Sequence, residues 1–286
     1  MTSRALVLGG GGVAGIAWET GVLSGLADEG VDLLEADVII GTSAGSAVAA
    51  QITSGLSLEA LFARQLLPPE QSGEISADLD MDALVALFSE GLGGARTPRE
   101  IRAAIGHVAL AAATVPEAPR RRVIEHRLPV HEWPARDIRI VVVDAETGED
   151  LVWDRDSGVG LVDAVAASCA VPGVWPPVTV AGRRYVDGGV RSGTNVDLAS
   201  GYEVVVVLAP VAETLGLGDR AVRAVADAVR ARPETIVLGP DEASTAAIGT
   251  NALDPATRAP SARAGRAQGR EQANAVAAVW RARAKG

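Results

Sequence analysis

A serine lies at the centre of a short segment in which strand-forming residues run directly into a turn of small residues. Residues 38–46 read Val-Ile-Ile-Gly-Thr-Ser-Ala-Gly-Ser, and a helix-compatible stretch continues to residue 50. This Gly-x-Ser-x-Gly pattern predicts a strand, a sharp turn with Ser43 at its apex, and a helix. Gly41 and Gly45 leave room for the turn. The exposed Ser43 hydroxyl could act as a nucleophile, since a helix N-terminus favours negative charge beside it. Alternatively, Ser43 simply caps the helix.

A second cluster of small residues, Gly10-Gly11-Gly12-Val13-Ala14-Gly15, lies between an apolar strand (residues 5–8) and a helix-like pattern (residues 15–29). A dinucleotide site would need an acidic residue at the end of the next strand, which here ends in Gly-Thr-Ser. A P-loop would need a lysine after its glycines, but the only lysine is Lys285. Backbone N–H groups of this loop could instead stabilise an oxyanion. Because strands of a βαβ unit are usually neighbours, the loop and the Ser43 turn should meet at one edge of the sheet.

A serine nucleophile needs a neighbouring group that accepts its proton, and a histidine is the usual choice. The three histidines all lie at or before position 131, whereas the histidine of an α/β-hydrolase triad lies on a late loop. A conventional triad is therefore disfavoured, and a carboxylate is the remaining type of base.

Asp187 is the first candidate for this carboxylate, because it ends a predicted strand and two glycines follow it, Gly188 and Gly189. The glycines leave space for a substrate, although an ordinary Asp-Gly turn would have the same sequence. Asp144 is the second candidate, with the same position at a strand end but no glycine pair. The pKa of a free aspartate is about 3.9, and burial would raise it and make the group a better base.

Composition excludes several classes of protein. The net charge of −10 disfavours nucleic-acid binding, which needs a basic surface. The single cysteine, Cys169, excludes a disulfide framework and fits a reducing compartment. No cysteine or histidine has metal-ligand spacing, so we expect no metal. No apolar stretch reaches the length of a membrane-spanning helix, and we expect a cytoplasmic protein.

The order of the predicted elements favours an α/β fold of one domain over residues 1–286, with a largely helical insertion at about 54–135. We expect His107 to pack on an apolar helix face, and the basic run Arg120-Arg121-Arg122 to lie in a solvated loop. Later strands are predicted at residues 138–143, 151–153, 178–180, 184–186, 204–208 and 236–238. Helices are predicted at 81–88, 99–113, 160–170 and 219–230, with a closing helix from 255 or 262 to 284.

The glycine cluster at 10–15, the serine turn at 41–45 and Asp187-Gly188-Gly189, in this order, resemble the patatin-like phospholipase family. The segment Ala-Ser-Cys-Ala-Val-Pro-Gly at 167–173 also resembles that family. The resemblance implies a three-layer α/β/α sandwich with a mostly parallel central sheet and a Ser–Asp dyad without histidine. It maps the nucleophile to Ser43, the acid/base to Asp187, the oxyanion hole to the backbone of Gly10, Gly11 and Gly12, and motif glycines to Gly15, Gly41, Gly45, Gly188 and Gly189.

The sequence differs from the family pattern at two places. Many members carry a basic residue where this chain has Ala14, and many have a proline two residues after the asparagine that matches Asn195. The resemblance implies hydrolysis of lipid acyl esters, of phospholipase A or lysophospholipase type, through an acyl-enzyme and without a cofactor. The implied partners are a lipid or fatty-acyl ester and, transiently, a membrane surface. The alternatives are a non-catalytic lipid- or acyl-binding regulator and a nucleotide-binding oxidoreductase, which the missing ribose carboxylate disfavours.

Overall fold

The computed structural model describes residues 2–77, 97–211 and 220–281. No helix in these ranges is long and apolar enough to cross a bilayer. The helix predicted at 81–88 lies outside the described residues. The helices are α1 (Gly12–Asp28), α2 (Ala44–Ile52), α3 (Leu58–Gln65), α4 (Pro98–Ala111), α5 (Glu117–Arg127), α6 (Leu161–Ser168), α7 (Arg220–Arg230), α8 (Glu242–Ile248) and α9 (Arg258–Trp280).

One mixed sheet runs through the molecule, and its strands are β1 (Arg4–Leu8), β2 (Val38–Gly41), β3 (Asp137–Asp144), β4 (Asp150–Trp153), β5 (Val178–Val180), β6 (Arg183–Asp187), β7 (Val204–Leu208) and β8 (Thr235–Leu238). The order is β5-β6-β3-β2-β1-β7-β8, with β4 paired to β3. Five neighbouring strands are parallel to one another: β3, β2, β1, β7 and β8. By contrast, β4 and β6 pair antiparallel with β3, and β5 pairs antiparallel with β6. The strand positions predicted from the sequence are confirmed.

Alternate residues of β1 face opposite layers, as the pleat of a strand requires. Leu6 and Leu8 belong to the core beneath α1, α2, α6 and α9. Ala5 and Val7 face the other layer, where α7 and the short helix Val196–Ala199 pack. Helices therefore cover both faces of the sheet, and the predicted three-layer α/β/α sandwich is confirmed.

Four glycines let α1 and α9 pack with their backbones in close contact. A Cβ at Gly21 would lie 2.2 Å from the Ala262 carbonyl oxygen, and one at Gly25 would lie 2.1 Å from that of Arg266. On α9, a Cβ at Gly265 would lie 2.4 Å from the Trp18 carbonyl oxygen, and a Cβ at Gly269 would lie 2.4 Å from the Val22 carbonyl oxygen. Since real Cβ atoms do not approach backbone oxygens so closely, any side chain here would push the two helices apart.

Three local predictions were wrong. Residues 117–127 form helix α5 instead of a loop, and within it Arg120 is buried and only 5 % exposed. His107 is exposed and does not pack in the core. Helix α1 begins at Gly12, three residues before the predicted start, so the last four residues of the glycine cluster belong to the helix.

Candidate active site

The turn between β2 and α2 places Ser43 in a backbone conformation that side chains rarely adopt, with φ 52° and ψ −117°. These angles resemble the first central position of a type II′ turn, where glycine dominates. Gly45 must lack a side chain, because a Cβ there would lie 2.1 Å from the Leu8 carbonyl oxygen. Its N–H also donates to the Gly9 carbonyl at 2.9 Å. The serine turn therefore packs directly on the end of β1, as predicted from the βαβ unit.

Hydrogen bonds hold the Ser43 backbone on both sides. The Ser43 N–H donates to Ser168 Oγ at 3.0 Å, and this hydroxyl donates to the Val141 carbonyl at 2.7 Å. The Ser43 carbonyl accepts from Ser46 Oγ at 2.6 Å and from the Cys169 thiol at 3.2 Å. These bonds offset the strain of the turn, which is of the order of 1–3 kcal/mol for such a conformation. In the sequence, Ser168 and Cys169 show no local signal of these roles.

Asp187 lies at the end of β6, where the strand register brings it towards the serine turn. Gly41 pairs with Ile140 of β3, and Asp187 pairs with Val142, two residues further along. The Asp187 side chain is buried, and its Oδ1 accepts the Gly189 N–H at 2.7 Å. Its Oδ2 is also buried but has no hydrogen bond of normal length and angle within the described part of the chain.

Burial raises the pKa of Asp187 to about 7, although the Ser43 hydroxyl, the Gly189 N–H and the charge of Arg120 all lower it. The Ser43 hydroxyl is thus close enough to stabilise the charged carboxylate. A carboxylate with this pKa is a far better proton acceptor at neutral pH than a solvated one. Ser43 and Asp187, the two residues selected from the sequence, are both buried and lie close to each other.

Asp144, the other carboxylate considered from the sequence, is fully engaged elsewhere. Its Oδ1 accepts from the Glu146 and Thr147 N–H groups and from the Thr147 hydroxyl, at 2.8–3.0 Å. Its Oδ2 pairs with Arg183 at 2.7 Å. Asp144 therefore stabilises the turn between β3 and β4. The three histidines, His107, His126 and His131, are all exposed.

The glycine loop lies against the serine turn, and a Cβ at Gly10 would lie 3.5 Å from Ser43 Cβ. The Gly10 N–H, however, already donates to the Gly193 carbonyl at 2.9 Å. The N–H groups of Gly11 and Gly12 donate to no acceptor within residues 2–77, 97–211 and 220–281. These two amides, at the N-terminus of α1, are the donors of the loop that are left to bind an anion.

Asn195 joins the serine turn to the segment that follows Asp187. Its fully buried amide donates to Thr42 Oγ1 at 2.9 Å and to the Gly188 carbonyl at 3.3 Å. Its Oδ1 accepts from Arg191 at 2.6 Å, and Arg191 also pairs with Asp150 and Asp197. The amide therefore links the residue before Ser43 to the residue after Asp187. In the sequence, the signal near Asn195 was the missing proline two residues later, which departs from the family pattern.

Arg120 is a further buried charge close to Asp187. Its guanidinium lies 3.8 Å from the centre of the Trp175 ring. Burial and the charge of Arg127 lower the pKa of Arg120 to about 9, whereas Cys169, Glu74 and Asp187 act in the opposite direction. A positive charge beside Asp187 stabilises its deprotonated form.

The chain is similar to known proteins in sequence over one range and in structure over most of its length. A family model described as patatin-like phospholipase matches residues 6–200. No curated protein matches the sequence. Among solved structures, VipD from Legionella pneumophila is 14 % identical with a TM-score of 0.48, and the match covers 96 % of this chain and 67 % of that one. The type III effector protein ExoU is 16 % identical with a TM-score of 0.36, over 94 % of this chain and 53 % of that one.

The match at 6–200 includes the glycine loop, the serine turn and Asp187-Gly188-Gly189, which are the segments on which the predicted resemblance depends. It also covers more than half of the chain, so the prediction is confirmed. The chain belongs to the patatin-like phospholipase family.

Proposed function

We propose that this chain cleaves carboxylic esters of lipids with a dyad formed by Ser43 and Asp187. Membership of the patatin-like phospholipase family supports lipid hydrolysis at the level of the family. The observation that carries the dyad is the buried Asp187 carboxyl group, whose pKa is about 7 even though the nearby Ser43 hydroxyl lowers it. Its Oδ2 has no hydrogen-bond partner among the residues that the structure describes. The exposed positions of all three histidines favour a mechanism without imidazole.

In the proposed mechanism, Asp187 accepts the Ser43 proton while Ser43 Oγ attacks the ester carbonyl. The Gly11 and Gly12 N–H groups stabilise the oxyanion, and the alcohol leaves with the proton held by Asp187. Water, activated by the same carboxylate, then hydrolyses the acyl-enzyme and releases the fatty acid. We infer substrates of phospholipase A or lysophospholipase type, so the assay includes phosphatidylcholine and lysophosphatidylcholine beside a nitrophenyl ester.

The direct test is covalent labelling with a fluorophosphonate, followed by mapping of the labelled peptide. We expect one adduct on Ser43, formed at a rate that falls below pH 7 as Asp187 takes up a proton. The variant Ser200→Ala, which changes an exposed serine outside the turn that holds Ser43, keeps the adduct. Labelling at another serine, or rapid ester hydrolysis by Ser43→Ala, would show that the dyad is wrong. An unlabelled protein that still binds fatty acid would point to the non-catalytic regulator.

Asn195→Asp tests whether the buried amide positions the dyad. The change keeps the shape of the side chain but removes the donors to Thr42 and Gly188. We expect kcat to fall by about tenfold to a hundredfold with little change in KM, because misplacement of catalytic groups acts on the chemical step. Steady-state kinetics give both values. Asn274→Asp, on an exposed position of α9, is the control, and equal kinetics for the two variants would refute the positioning role.

Arg120→Gln tests the electrostatic influence of Arg120 on the proposed base. Loss of the positive charge raises the pKa of Asp187, so the acidic limb of the kcat/KM profile moves to higher pH. Arg120→Lys retains the charge and leaves the limb near its original place. Arg122→Gln, on the exposed face of the same helix, is the control. An unchanged limb in Arg120→Gln would exclude this influence.

A further inference from the structure

A polar cavity of about 150 Å³ lies apart from Ser43 and Asp187, between the first turns of α1, the end of α2, α3, α5 and the start of α9. We call it the arginine cavity, because Arg64, Arg127 and Arg258 line it. Gln51, Gln65 and Glu74 are among the other lining residues. A buried water needs about 10–15 Å³ on this measure, so the arginine cavity has room for a small molecule.

The charges around the arginine cavity do not balance. Arg127 and Glu74 form a buried bidentate pair, with both hydrogen bonds at 2.7 Å, and neutralise each other. Arg64 and Arg258 have no acidic partner of this kind among the residues that the structure describes. Instead, each donates to a backbone carbonyl, Arg64 to His126 and Arg258 to Arg64, at 2.9 and 2.8 Å. The cavity therefore has an excess of two positive charges.

Arg258 shows this imbalance most clearly. The residue is only 7 % exposed, yet its Nη1 has no hydrogen-bond partner within the described ranges. Its Nε donates weakly to Gln65 Oε1 at 3.3 Å. A buried N–H group that lacks an acceptor is unfavourable, so an acceptor that binds Nη1 would stabilise this position. Burial lowers the pKa of Arg258, and the charges of Arg127 and Arg64 add to this effect against that of Glu74.

Gln51 supplies a second unsatisfied group on the wall of the cavity. Its Nε2 donates to the Arg127 carbonyl at 3.1 Å, while its Oε1 is buried and has no donor in the described part of the chain. A ligand that satisfies both residues presents negatively charged oxygens to Arg258 and a hydroxyl hydrogen to Gln51. A hydrogen phosphate group has both features, since it is anionic and still carries an O–H.

We propose that the arginine cavity is an anion site for a phosphate group, held by Arg258 and Arg64 with Gln51 accepting its hydroxyl. The phosphate could come from inorganic phosphate or from a lipid headgroup that is a phosphate monoester, and binding of the free ion does not depend on the proposed hydrolase activity. The headgroup alternative does rest on the proposed function. Two separate measurements therefore distinguish the sources.

The first measurement is a titration of the purified protein with inorganic phosphate at constant ionic strength, followed by calorimetry and by thermal unfolding. We expect saturable binding and a rise in Tm, both weakened at least tenfold in Arg258→Gln. Arg263→Gln, an exposed residue of the same helix, is the control and keeps full binding. Arg64→Gln, on a less buried residue, provides a second variant if Arg258→Gln fails to fold.

The second measurement compares phosphatidic acid, a lipid whose headgroup is a phosphate monoester with an O–H, with a nitrophenyl ester, which has no phosphate. If a lipid headgroup occupies the cavity, the ratio of kcat/KM for the two substrates falls at least tenfold in Arg258→Gln and in Arg64→Gln. If free phosphate is the ligand, phosphate binding is lost while the ratio stays the same. A protein that neither binds phosphate nor changes this ratio in either variant would overturn the proposal.

Discussion

Asp187→Asn is expected to abolish ester hydrolysis and, at the same time, to make the folded chain more stable above pH 7. The loss of activity follows from the loss of the proposed proton acceptor. The gain in stability follows from burial, which raises the pKa of Asp187 from 3.8 to about 7. An asparagine fits the same space without a charge and can still accept the Gly189 N–H.

The sign of the pH effect follows from proton uptake in the two states. Between about pH 4 and pH 7 the folded chain keeps the Asp187 proton that the unfolded chain releases, so the free energy of unfolding falls as pH rises through this window. Below about pH 4 the carboxyl group is neutral in both states and has no effect on stability. Above about pH 7 it is charged in both states, and the folded chain is destabilised by the full cost of burying that charge. Three pH units correspond to about 4 kcal/mol, which is the upper limit of the gain in Asp187→Asn at pH 8.

Urea unfolding of the wild type and of Asp187→Asn at pH 5 and pH 8 measures this difference. The variant should gain most at pH 8 and little at pH 5. Asp156→Asn, which changes an exposed aspartate, serves as control and should follow the wild type at both pH values. If the wild type and Asp187→Asn had equal free energies of unfolding at pH 8, burial would not destabilise the charged form of Asp187.

Ser43→Gly and Ser43→Ala should both lose activity, by roughly 10⁴-fold or more, as expected when a nucleophile is removed. Their stabilities should differ, because only glycine adopts φ 52° and ψ −117° without strain. We expect Ser43→Gly to exceed Ser43→Ala in free energy of unfolding by about 1 kcal/mol or more. Chemical denaturation of the two variants under identical conditions measures the difference.

Ala181 provides the control for this comparison, since it also has a positive φ of 51° but lies exposed in the turn between β5 and β6. Ala181→Gly should stabilise the fold and keep full activity. If Ser43→Gly proved less stable than Ser43→Ala, the turn would not store strain at the serine. Residual hydrolysis close to the wild-type rate in either Ser43 variant would exclude it as nucleophile.

The sheet and the segments of the candidate site could be predicted because their signals are local. Runs of β-branched residues mark the strands at 138–143 and 204–208, and strand-turn-helix patterns mark both the glycine loop and the Ser43 turn. The meeting of Ser43 with Asp187 depends instead on strand pairing through β3, a contact between residues far apart in the chain. The position of Asp187 at a strand end before two glycines, and the order of motifs typical of a family, were the signals that indicated it.

Arg120 shows why the rest of the site could not be predicted. The sequence Ala-Pro-Arg-Arg-Arg has no apolar periodicity, and its proline and charges favour a solvated loop. Helix α5 nevertheless forms, because Pro119 lies in its first turn, where a missing N–H is tolerated. Arg120 then stacks on Trp175, a tertiary contact that composition cannot reveal. The same holds for Gly10, whose N–H is occupied by Gly193 from a distant loop.

The close packing of α1 against α9 has a consequence for folding during synthesis. The glycine loop forms the N-terminus of α1, and α1 is buried by a helix that begins at Arg258, near the other end of the sequence. A growing polypeptide on the ribosome exposes the apolar side of α1 until α9 has emerged. The glycine loop at the start of α1 therefore gains the support of α9 only after residues 258–280 have been synthesised.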